Sequence, residues 1–353
     1  MTPSRINSLI LSRVFAFRGA IWLDAATLAL VLIAILALPR TAQAAPLPVT
    51  LNLMSFNIRQ DDGSVSNRAS TNGWYKLFSD SGGRRDRALS TIQTYNPDLL
   101  GIEEALPNQL SDLQVSAALA GYGYYGPGRA ADGGNEHGGI FYRTSRFTPT
   151  GQGSFWLSAT PTVPGTTFTG GGTDTGNPRM VNWMKLADNK TGQTYFVANT
   201  HWSLDSQARQ LSANLMRTQF AALSGGLPMI VLGDFNTTLT SSPLQTLTGA
   251  TNPSGFQLTD AYRKVFPTVS QNEATYHNFT GTTSGSSIDH IFYSASTFTA
   301  TAAAIVRTTY NGLYPSDHYP ITATLQVTPV PEPATVGSAL VGALCLLLWR
   351  RRA

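Results

Sequence analysis

The sequence predicts an α/β (α+β) fold, a four-layer sandwich in which two β-sheets pack face to face and helices cover their outer sides. Two observations lead to this fold class. Short apolar runs alternate with turn residues along most of the 353-residue chain, and stretches of helical spacing lie between them. The 32 glycines and 20 prolines follow no strict period, which excludes a collagen-like chain and favours a loop-rich, largely β protein.

The first elements follow from local patterning. Residues 49–58 alternate as a strand does, and residues 84–94 have the spacing of a helix. Residues 98–102 form a short apolar run that is typical of a buried strand. Residues 108–119 follow a proline and predict a second helix.

The later elements are mostly strands. Residues 151–177 are rich in Gly and Thr and predict a long surface loop, and residues 206–223 predict a third helix. Apolar runs bounded by turn residues predict the remaining strands at 139–142, 180–186, 195–199, 229–233, 288–293 and 321–327. No internal repeat is visible, so we expect residues 46–327 to form one domain.

Composition excludes several classes of protein. Only 12% of the residues are charged and 10% are aromatic, which is unlike a disordered acidic or basic tail protein. The single cysteine, Cys345, excludes a disulfide scaffold and a cysteine-ligated zinc site.

The basic balance of the chain belongs to its two ends. The formal charge is +4 overall, of which residues 1–45 contribute +3 and residues 328–353 contribute +2, so that residues 46–327 carry −1. Proteins that bind duplex nucleic acid usually present a basic face. The charge of the central body therefore argues against tight duplex binding.

Residues 1–45 have the three parts of an export signal peptide. Basic residues come first, the apolar run 25–38 follows, and Ala42-Gln43-Ala44 provides a small-residue cleavage site. A retained membrane anchor is the alternative, but the apolar run is shorter than the ~20 residues that a spanning helix needs. We therefore expect cleavage and export.

Residues 328–353 repeat this three-part design in reverse. Pro331-Glu332-Pro333 precedes the apolar stretch 336–349, and arginines 350–352 close the chain. This tail resembles the PEP-CTERM sorting signal of Gram-negative bacteria, which an exosortase-type enzyme processes; an ordinary tail anchor is the alternative. The resemblance implies transient anchoring in the inner membrane and a final place in the periplasm, outer envelope or extracellular matrix.

Polar clusters follow the predicted strands at the points where they end. A buried strand has little reason to finish in Asp, Asn or His unless its end lines a site. The clusters lie at 55–59, 101–104, 135–137, 199–202, 233–236, 288–290 and 316–318.

These residue types suit metal-assisted phosphoester hydrolysis. Carboxylate and amide oxygens without cysteine fit a hard cation, Mg²⁺ or else Mn²⁺ or Ca²⁺, which neutralises phosphate charge. An Asp beside an Asn can hold and deprotonate a water, and a second Asp can keep a His protonated so that it donates to phosphoryl oxygens.

The same residues resemble the endonuclease/exonuclease/phosphatase superfamily, which has the DNase I-like fold. The matching segments appear in the family's order across about residues 50–327. They are Met54 to Arg59, Pro97 to Leu106, Gly139 to Arg143, Pro178-Arg179, Asn199-Thr200-His201, Gly233-Asp234-Phe235-Asn236, Leu258 to Arg263, Ile288-Asp289 and Pro315 to Pro320. The resemblance implies two mostly antiparallel sheets flanked by helices.

The resemblance implies a metal site formed by Asn57, Glu104 and Asp317, with Asp317 assisting the metal or a second metal position. The family's usual Gln before the metal glutamate is Glu103 here, which leaves Glu103 as an alternative ligand. We choose Glu104 because it follows the strand 98–102 with the family's spacing.

The resemblance also assigns the catalytic groups. Asp234 would orient or deprotonate the attacking water, and Asn236 would contact the phosphoryl group. His318 would bind phosphoryl oxygens while Asp289 fixes its tautomer and charge. His201 would contact phosphate or protonate the leaving oxygen.

Two further residues are expected to support the site. Glu136 is the candidate carboxylate partner of His201, with a solvated loop charge as its alternative. Arg179 would contact substrate phosphate, and a structural ion pair is equally consistent with its position in the sequence.

These expectations describe an exported, metal-dependent phosphoester hydrolase that acts as a monomer. Small phosphodiesters or phosphomonoesters are the favoured substrates, followed by extracellular nucleic acid, and a phospholipid head group stays open. The alternative is a non-catalytic pseudoenzyme that binds phosphoesters at the cell envelope.

Overall fold

The computed structural model describes residues 47–327, except 62, 65, 67, 68, 77–81, 169–175 and 252–254. The predicted export signal, 1–45, and sorting tail, 328–353, lie outside the described residues. Within the described part of the chain, every helix is too short or too polar to cross a membrane.

Twelve strands and five helices make up this part of the chain. The strands are β1 Val49–Asn57, β2 Leu99–Ala105, β3 Tyr122–Tyr125, β4 His137–Arg143, β5 Phe147–Trp156, β6 Met180–Asp188, β7 Thr194–His201, β8 Met229–Asp234, β9 Thr259–Asp260, β10 Asp289–Tyr293, β11 Phe298–Ile305 and β12 Ile321–Val327. The helices are α1 Arg84–Tyr95, α2 Pro107–Val115, α3 Ser206–Ser224, α4 Ser242–Thr248 and α5 Ala261–Val265. A short 3₁₀ turn, Ala117–Leu119, follows α2.

The strands form two six-stranded sheets, as the sequence predicts. The first has the order β11-β12-β1-β2-β4-β3 and the second the order β5-β6-β7-β8-β10-β9. Each sheet has one parallel pair near its centre, β1 with β2 and β7 with β8, and its other pairs are antiparallel. Because parallel strands end at the same edge, each central pair delivers two adjacent polar chain ends to one edge of its sheet.

Three apolar clusters hold the layers together. The largest lies between the sheets and includes Leu53, Leu232 and Ile291. A second packs the outer side of the second sheet against α3, and a third packs the outer side of the first sheet against α1 and α2. Each fully buried aliphatic side chain contributes about 1.5–3 kcal/mol to this packing. The predicted four-layer sandwich is confirmed.

Helix α3 begins and ends where its sequence directs. The Asp205 side chain caps it by accepting a hydrogen bond from the Ala208 N–H at 2.7 Å. Gly225, with φ 63°, ends it in the left-handed conformation that glycine adopts without strain.

Strands β3, β5, β9 and β11 and helices α4 and α5 were not predicted, and two of the predicted elements have different boundaries in the structure. Residues 151–156 belong to β5 and not to the predicted loop, because their glycines serve packing: a Cβ on Gly153 would lie 2.7 Å from the Trp183 ring of β6. The predicted helix 108–119 stops at Val115, where Ser116 turns to an extended backbone with ψ 147°.

Candidate active site

The polar strand ends meet around one cleft of about 740 Å³. The residues of the sequence prediction that line it are Glu104, Glu136, Arg179, His201, Asp234, Asn236, Asp317 and His318. Asn57 and Asp289 lie just behind the wall and bind these residues directly. All ten predicted residues are therefore brought together.

Asn57 links the two sheets at the base of the cleft. It ends β1, and its Nδ2 donates to Glu104 Oε1 and to Asp234 Oδ2, both at 3.0 Å. Its Oδ1 accepts from the Arg59 N–H at 3.0 Å. In this orientation Asn57 fixes the two carboxylates relative to each other, and its role as a metal ligand stays a prediction.

A break in strand pairing decides which glutamate faces the cleft. The register of β2 against β4 shifts between Ile102 and Ala105, and Glu104 adopts φ 63°, a strained conformation for a residue with a Cβ. The shift turns Glu104 into the cleft and leaves Glu103 fully buried. Of the two candidates, Glu104 therefore has the position that a ligand needs.

The two glutamates also differ in charge. Burial alone would raise the pKa of Glu104, but Arg59 and the Asn57 amide hold that pKa below its ordinary value, so Glu104 is a carboxylate. Burial, reinforced by nearby Asp289 and Asp234, raises the pKa of Glu103 well above its ordinary value. Glu103 is therefore a neutral acid.

Glu104 and Asp317 converge on one cationic group. Arg59 Nη1 lies 3.3 Å from Glu104 Oε2, and Arg59 Nε lies 3.6 Å from Asp317 Oδ2. The Arg59 side chain is 43% exposed, so it reaches the two acids from the solvent side. Glu104 and Asp317 both face one positive charge. Their carboxylate oxygens are the kind of ligand that a hard divalent cation prefers.

Asp234 ends β8, and Asn236 follows it in a fixed turn. Gly233 must be glycine, because a Cβ there would lie 2.2 Å from the Thr200 carbonyl oxygen. The Asn236 N–H donates to Asp234 Oδ1 at 2.9 Å, and Asn236 Nδ2 donates to the Trp202 carbonyl at 2.9 Å. Burial, together with the charge of Asp289, raises the pKa of Asp234 to about 7.

His318 is held as a cation by Asp289. Its Nδ1 lies 3.0 Å from Asp289 Oδ2, and its Nε2 lies 3.8 Å from Asp234 Oδ2. Burial opposes protonation, but the charges of Asp289 and Asp234 raise the pKa of His318 well above its ordinary value. The Asp234, Asp289 and His318 side chains lie close enough to hold a metal, but hydrogen bonding explains their arrangement more simply.

His201 approaches Asp234 from the other side and is neutral. It ends β7 in register with Asp234, and its Nε2 lies 3.6 Å from Asp234 Oδ2. Burial, followed by the positive charges of Arg179 and Arg129, lowers its pKa well below the ordinary value. Its Nδ1 has no hydrogen-bond partner in the described ranges.

The expected pairing of Glu136 with His201 is wrong. Glu136 Oε1 instead accepts from Arg129 Nη2 at 2.7 Å. The two residues face each other across the bridge that joins Gly128 to His137, and the Arg129 N–H donates to the Glu136 carbonyl at 3.0 Å. The Glu136 carboxylate therefore pairs with Arg129 and not, as the sequence predicted, with His201.

Two arginines near the start of α1 bind the backbone of segments that line the cleft, and neither was predicted from the sequence to have this role. Arg84 is fully buried and donates to the carbonyls of Ile58, Gln60 and Asn72. Arg87 Nε donates to the Tyr314 carbonyl at 2.9 Å. They hold the turn after β1 and the chain before Asp317, and an arginine-rich helix start is a weak sequence signal for such a role.

Comparisons with known proteins agree with this geometry. The Endonuclease/Exonuclease/phosphatase family profile matches residues 54–318. A solved endonuclease/exonuclease/phosphatase family protein from Bacteroides thetaiotaomicron is 31% identical with a TM-score of 0.67, covering 80% of this chain and 99% of that chain. A mannosyl-6-phosphatase from the same organism is 31% identical with a TM-score of 0.65, covering 78% of this chain and 99% of that chain.

A more distant structure shares the fold alone. The catalytic domain of human nocturnin is 20% identical with a TM-score of 0.57, covering 80% of this chain and 96% of that chain. No curated protein matches the sequence significantly. The family match spans most of the chain and includes every strand end that lines the cleft, so the chain belongs to the endonuclease/exonuclease/phosphatase family, whose members hydrolyse phosphoester bonds.

Proposed function

We propose that this protein is an exported hydrolase of phosphoester bonds that depends on a divalent metal. The observation that carries the proposal is the double hydrogen bond of Asn57. It joins Glu104, on the cation side of the cleft, to Asp234, which lies between the protonated His318 and the neutral His201. This arrangement supplies separate places for a cation, a water and a phosphoryl group.

Glu104 and Asp317 would hold the cation, with Asn57 beside them. Mg²⁺ is the first choice and Mn²⁺ or Ca²⁺ the alternatives, because all of the donors are oxygens. When bound, the cation neutralises phosphoryl charge and favours attack at phosphorus. Arg59, which is partly exposed, would leave the two carboxylates to the cation.

Asp234 would act as the base. Its raised pKa places it near the pH at which a carboxylate best accepts a proton from water. The water oxygen attacks phosphorus, Asp234 takes the water's proton, and the ester P–O bond breaks. The leaving oxygen keeps the bonding electron pair and takes a proton from solvent. Asn236 is placed on the same turn to donate to the phosphoryl group.

The two histidines would have different tasks. The protonated His318 donates its Nε2–H to a phosphoryl oxygen and offsets the charge that develops there. His201 is neutral, so it is suited to hydrogen bonding with phosphate and poorly suited to protonating the leaving oxygen. Of the two roles that the sequence left open for His201, we therefore favour the phosphate contact.

Two observations bear on the substrate class. A mannosyl-6-phosphatase relative favours a small phosphoester, and the −1 charge of residues 46–327 disfavours tight duplex DNA binding. We propose a small phosphodiester or phosphomonoester, with nucleic acid or a phospholipid head group as weaker candidates.

The test is turnover of p-nitrophenyl phosphate, bis(p-nitrophenyl) phosphate and plasmid DNA with Mg²⁺, Mn²⁺ or Ca²⁺. Asp234→Asn and His318→Ala should each lower kcat about 10²-fold or more. Asp188→Asn, a buried carboxylate bound to Arg146 away from the cleft, is the matched control. Chelation should abolish activity and added metal should restore it.

The competing function is a non-catalytic phosphoester-binding pseudoenzyme. The presence of both Asp234 and His318 in bonded positions favours catalysis over this alternative. Calorimetric binding of phosphoesters without turnover in any of the three metals would support the pseudoenzyme and overturn our proposal.

Export and sorting are a separate proposal that rests on the sequence alone. We propose that residues 1–45 are removed on export and that an exosortase-type enzyme processes residues 328–353, which releases a monomer to the periplasm, outer envelope or matrix. The intact mass of the protein recovered from the cell envelope and from the medium tests both cuts. Retention of either end would contradict the corresponding part.

A further inference from the structure

A small recess opens from the cleft beside His201. It holds about 20 Å³ and shares with the cleft the residues Glu104, Arg129, Glu136, Arg179 and His201. A volume of this size accommodates one water molecule or one oxygen atom. A carbon chain does not fit in it.

The recess is built from buried charged groups. Arg129 and Arg179 are only 9% and 8% exposed, so they differ from solvated surface arginines. Two guanidinium groups beside a phosphoryl site suit an anionic ligand, because the donors of each group form a rigid fork.

Arg129 is fixed before any ligand arrives. Its Nη2 is bound to Glu136 Oε1 at 2.7 Å, and its carbonyl accepts from Trp156 Nε1 at 2.9 Å. The Gly128–His137 bridge sets the backbone on both sides of this pair. A site whose donors are already in place loses little entropy when it binds.

The acids of the recess do not oppose an incoming anion. Glu136 is paired with Arg129 at 2.7 Å, and Glu104 is paired with Arg59 at 3.3 Å. The positive charges of Arg179 and Arg129 reach His201, since they help to lower its pKa. The potential at this end of the cleft is therefore positive.

Phosphomonoesters and phosphodiesters differ at the position that this recess would receive. The phosphoryl group of a monoester has three terminal oxygens and up to two negative charges. A diester has two terminal oxygens and one charge, and a second carbon chain replaces the third oxygen. A one-atom recess that opens from the cleft and is lined by arginines suits the third oxygen and leaves no room for the chain.

We propose that Arg129 and Arg179 form a terminal-oxygen pocket that makes this protein a phosphomonoesterase. The proposal rests on the proposed function and narrows its substrate class. The third phosphoryl oxygen enters the recess, and the leaving group remains in the wider cleft. There it faces the exposed side chains Tyr276 and Leu204.

The experiment compares kcat/KM for p-nitrophenyl phosphate and bis(p-nitrophenyl) phosphate in the metal-loaded, full-length protein. The wild type should prefer the monoester by about 10²-fold or more. Arg129→Met and Arg179→Met should each lower monoester kcat/KM by about 10²-fold while diester kcat/KM changes by less than about fivefold. Arg143→Met, which removes an arginine paired with Asp98 at the other end of β4, should change neither value.

A second measurement keeps the proposal testable if a variant fails to fold. Inorganic phosphate should inhibit the wild type competitively, and in folded Arg179→Lys its inhibition constant should rise about tenfold, because lysine lacks the guanidinium fork. Dimethyl phosphate, which has no third terminal oxygen, should inhibit at least tenfold more weakly than inorganic phosphate in the wild type.

The outcomes separate this inference from the proposed function. Equal or greater activity of the wild type on the diester would overturn the pocket and leave the hydrolase standing. An equal loss of both activities in the arginine variants would also overturn it, because the arginines would then act on all substrates alike. Turnover of neither ester in any metal would overturn the proposed function itself.

Discussion

Two histidines flank Asp234 at nearly the same distance, yet they carry different charges. His201 Nε2 and His318 Nε2 lie 3.6 Å and 3.8 Å from the same oxygen, Asp234 Oδ2. Both rings are buried by the surrounding structure, which alone would make both neutral. Their difference must therefore come from the groups behind each ring.

Those groups are a carboxylate beside His318 and two positively charged arginines near His201. Asp289 binds Nδ1 of His318 at 3.0 Å and raises the pKa of that ring. Burial is the largest cause of the lowered pKa of His201, and the positive charges of Arg179 and Arg129 add to it. The comparison indicates that the charged groups near each ring, and not its distance to the shared carboxylate, account for the difference in protonation between the two histidines.

The largest expected effect comes from removing the acid behind His318. Asp289→Asn leaves a hydrogen-bonding side chain of the same size but removes the charge that stabilises the imidazolium. We expect kcat to fall about 10²-fold or more, because a neutral His318 offsets less charge on the phosphoryl oxygens. Steady-state kinetics with saturating metal measures this loss.

The matched control is another buried Asp–His pair on the same sheet. Asp260 Oδ2 lies 2.9 Å from His290 Nδ1, outside the cleft. Asp260→Asn should lower thermal stability while kcat per folded molecule stays within about twofold. If both variants lost kcat to the same extent, the asymmetry between His201 and His318 would have no catalytic meaning.

How far the sequence predicts this site depends on the kind of contact. His201 and Asp234 end two neighbouring parallel strands and Asp289 begins the adjacent antiparallel strand, so the register places the three side by side. Apolar runs that stop at polar residues reveal such positions, because strand periodicity is local. The two-sheet arrangement, helices α1, α2 and α3 and the grouping of the ten candidate residues were therefore predictable.

Contacts that depend on a break in regular structure were not predictable from periodicity. The register shift at Ile102 decides between Glu103 and Glu104, and only the family's spacing pointed to Glu104. The bridge between Gly128 and His137 brings Glu136 next to Arg129, so the predicted pairing of Glu136 with His201 was wrong. Gly153 looked like a loop residue, because the sequence does not show that it leaves room for the Trp183 ring.

The protonation difference itself can be measured in the metal-free protein. The chain has five histidines, so side-chain ¹⁵N NMR can follow each ring through a pH titration. Below its raised pKa His318 should be an imidazolium, and it should lose its proton only well above the ordinary value of about 6.5. Above its lowered pKa His201 should be neutral, and it should gain a proton only well below that value.

Asp289→Asn should move the His318 titration to lower pH, and Asp260→Asn should leave it in place. A wild-type protein in which the two rings titrate together near 6.5 would contradict the account of both histidines. It would also remove the reason to assign the phosphate contact, and not proton donation, to His201.

The smallest expected effect is on the pKa of His201, when one of the two nearby arginines is removed. Arg179→Met removes one positive charge near the ring, so the pKa of His201 should rise. It should stay below the ordinary value, because burial is the largest cause of the shift and the variant leaves the ring buried. Arg143→Met, far from the ring, should produce no shift in the same ¹⁵N titration. A full return of His201 to about 6.5 in Arg179→Met would mean that charge, and not burial, keeps this ring neutral.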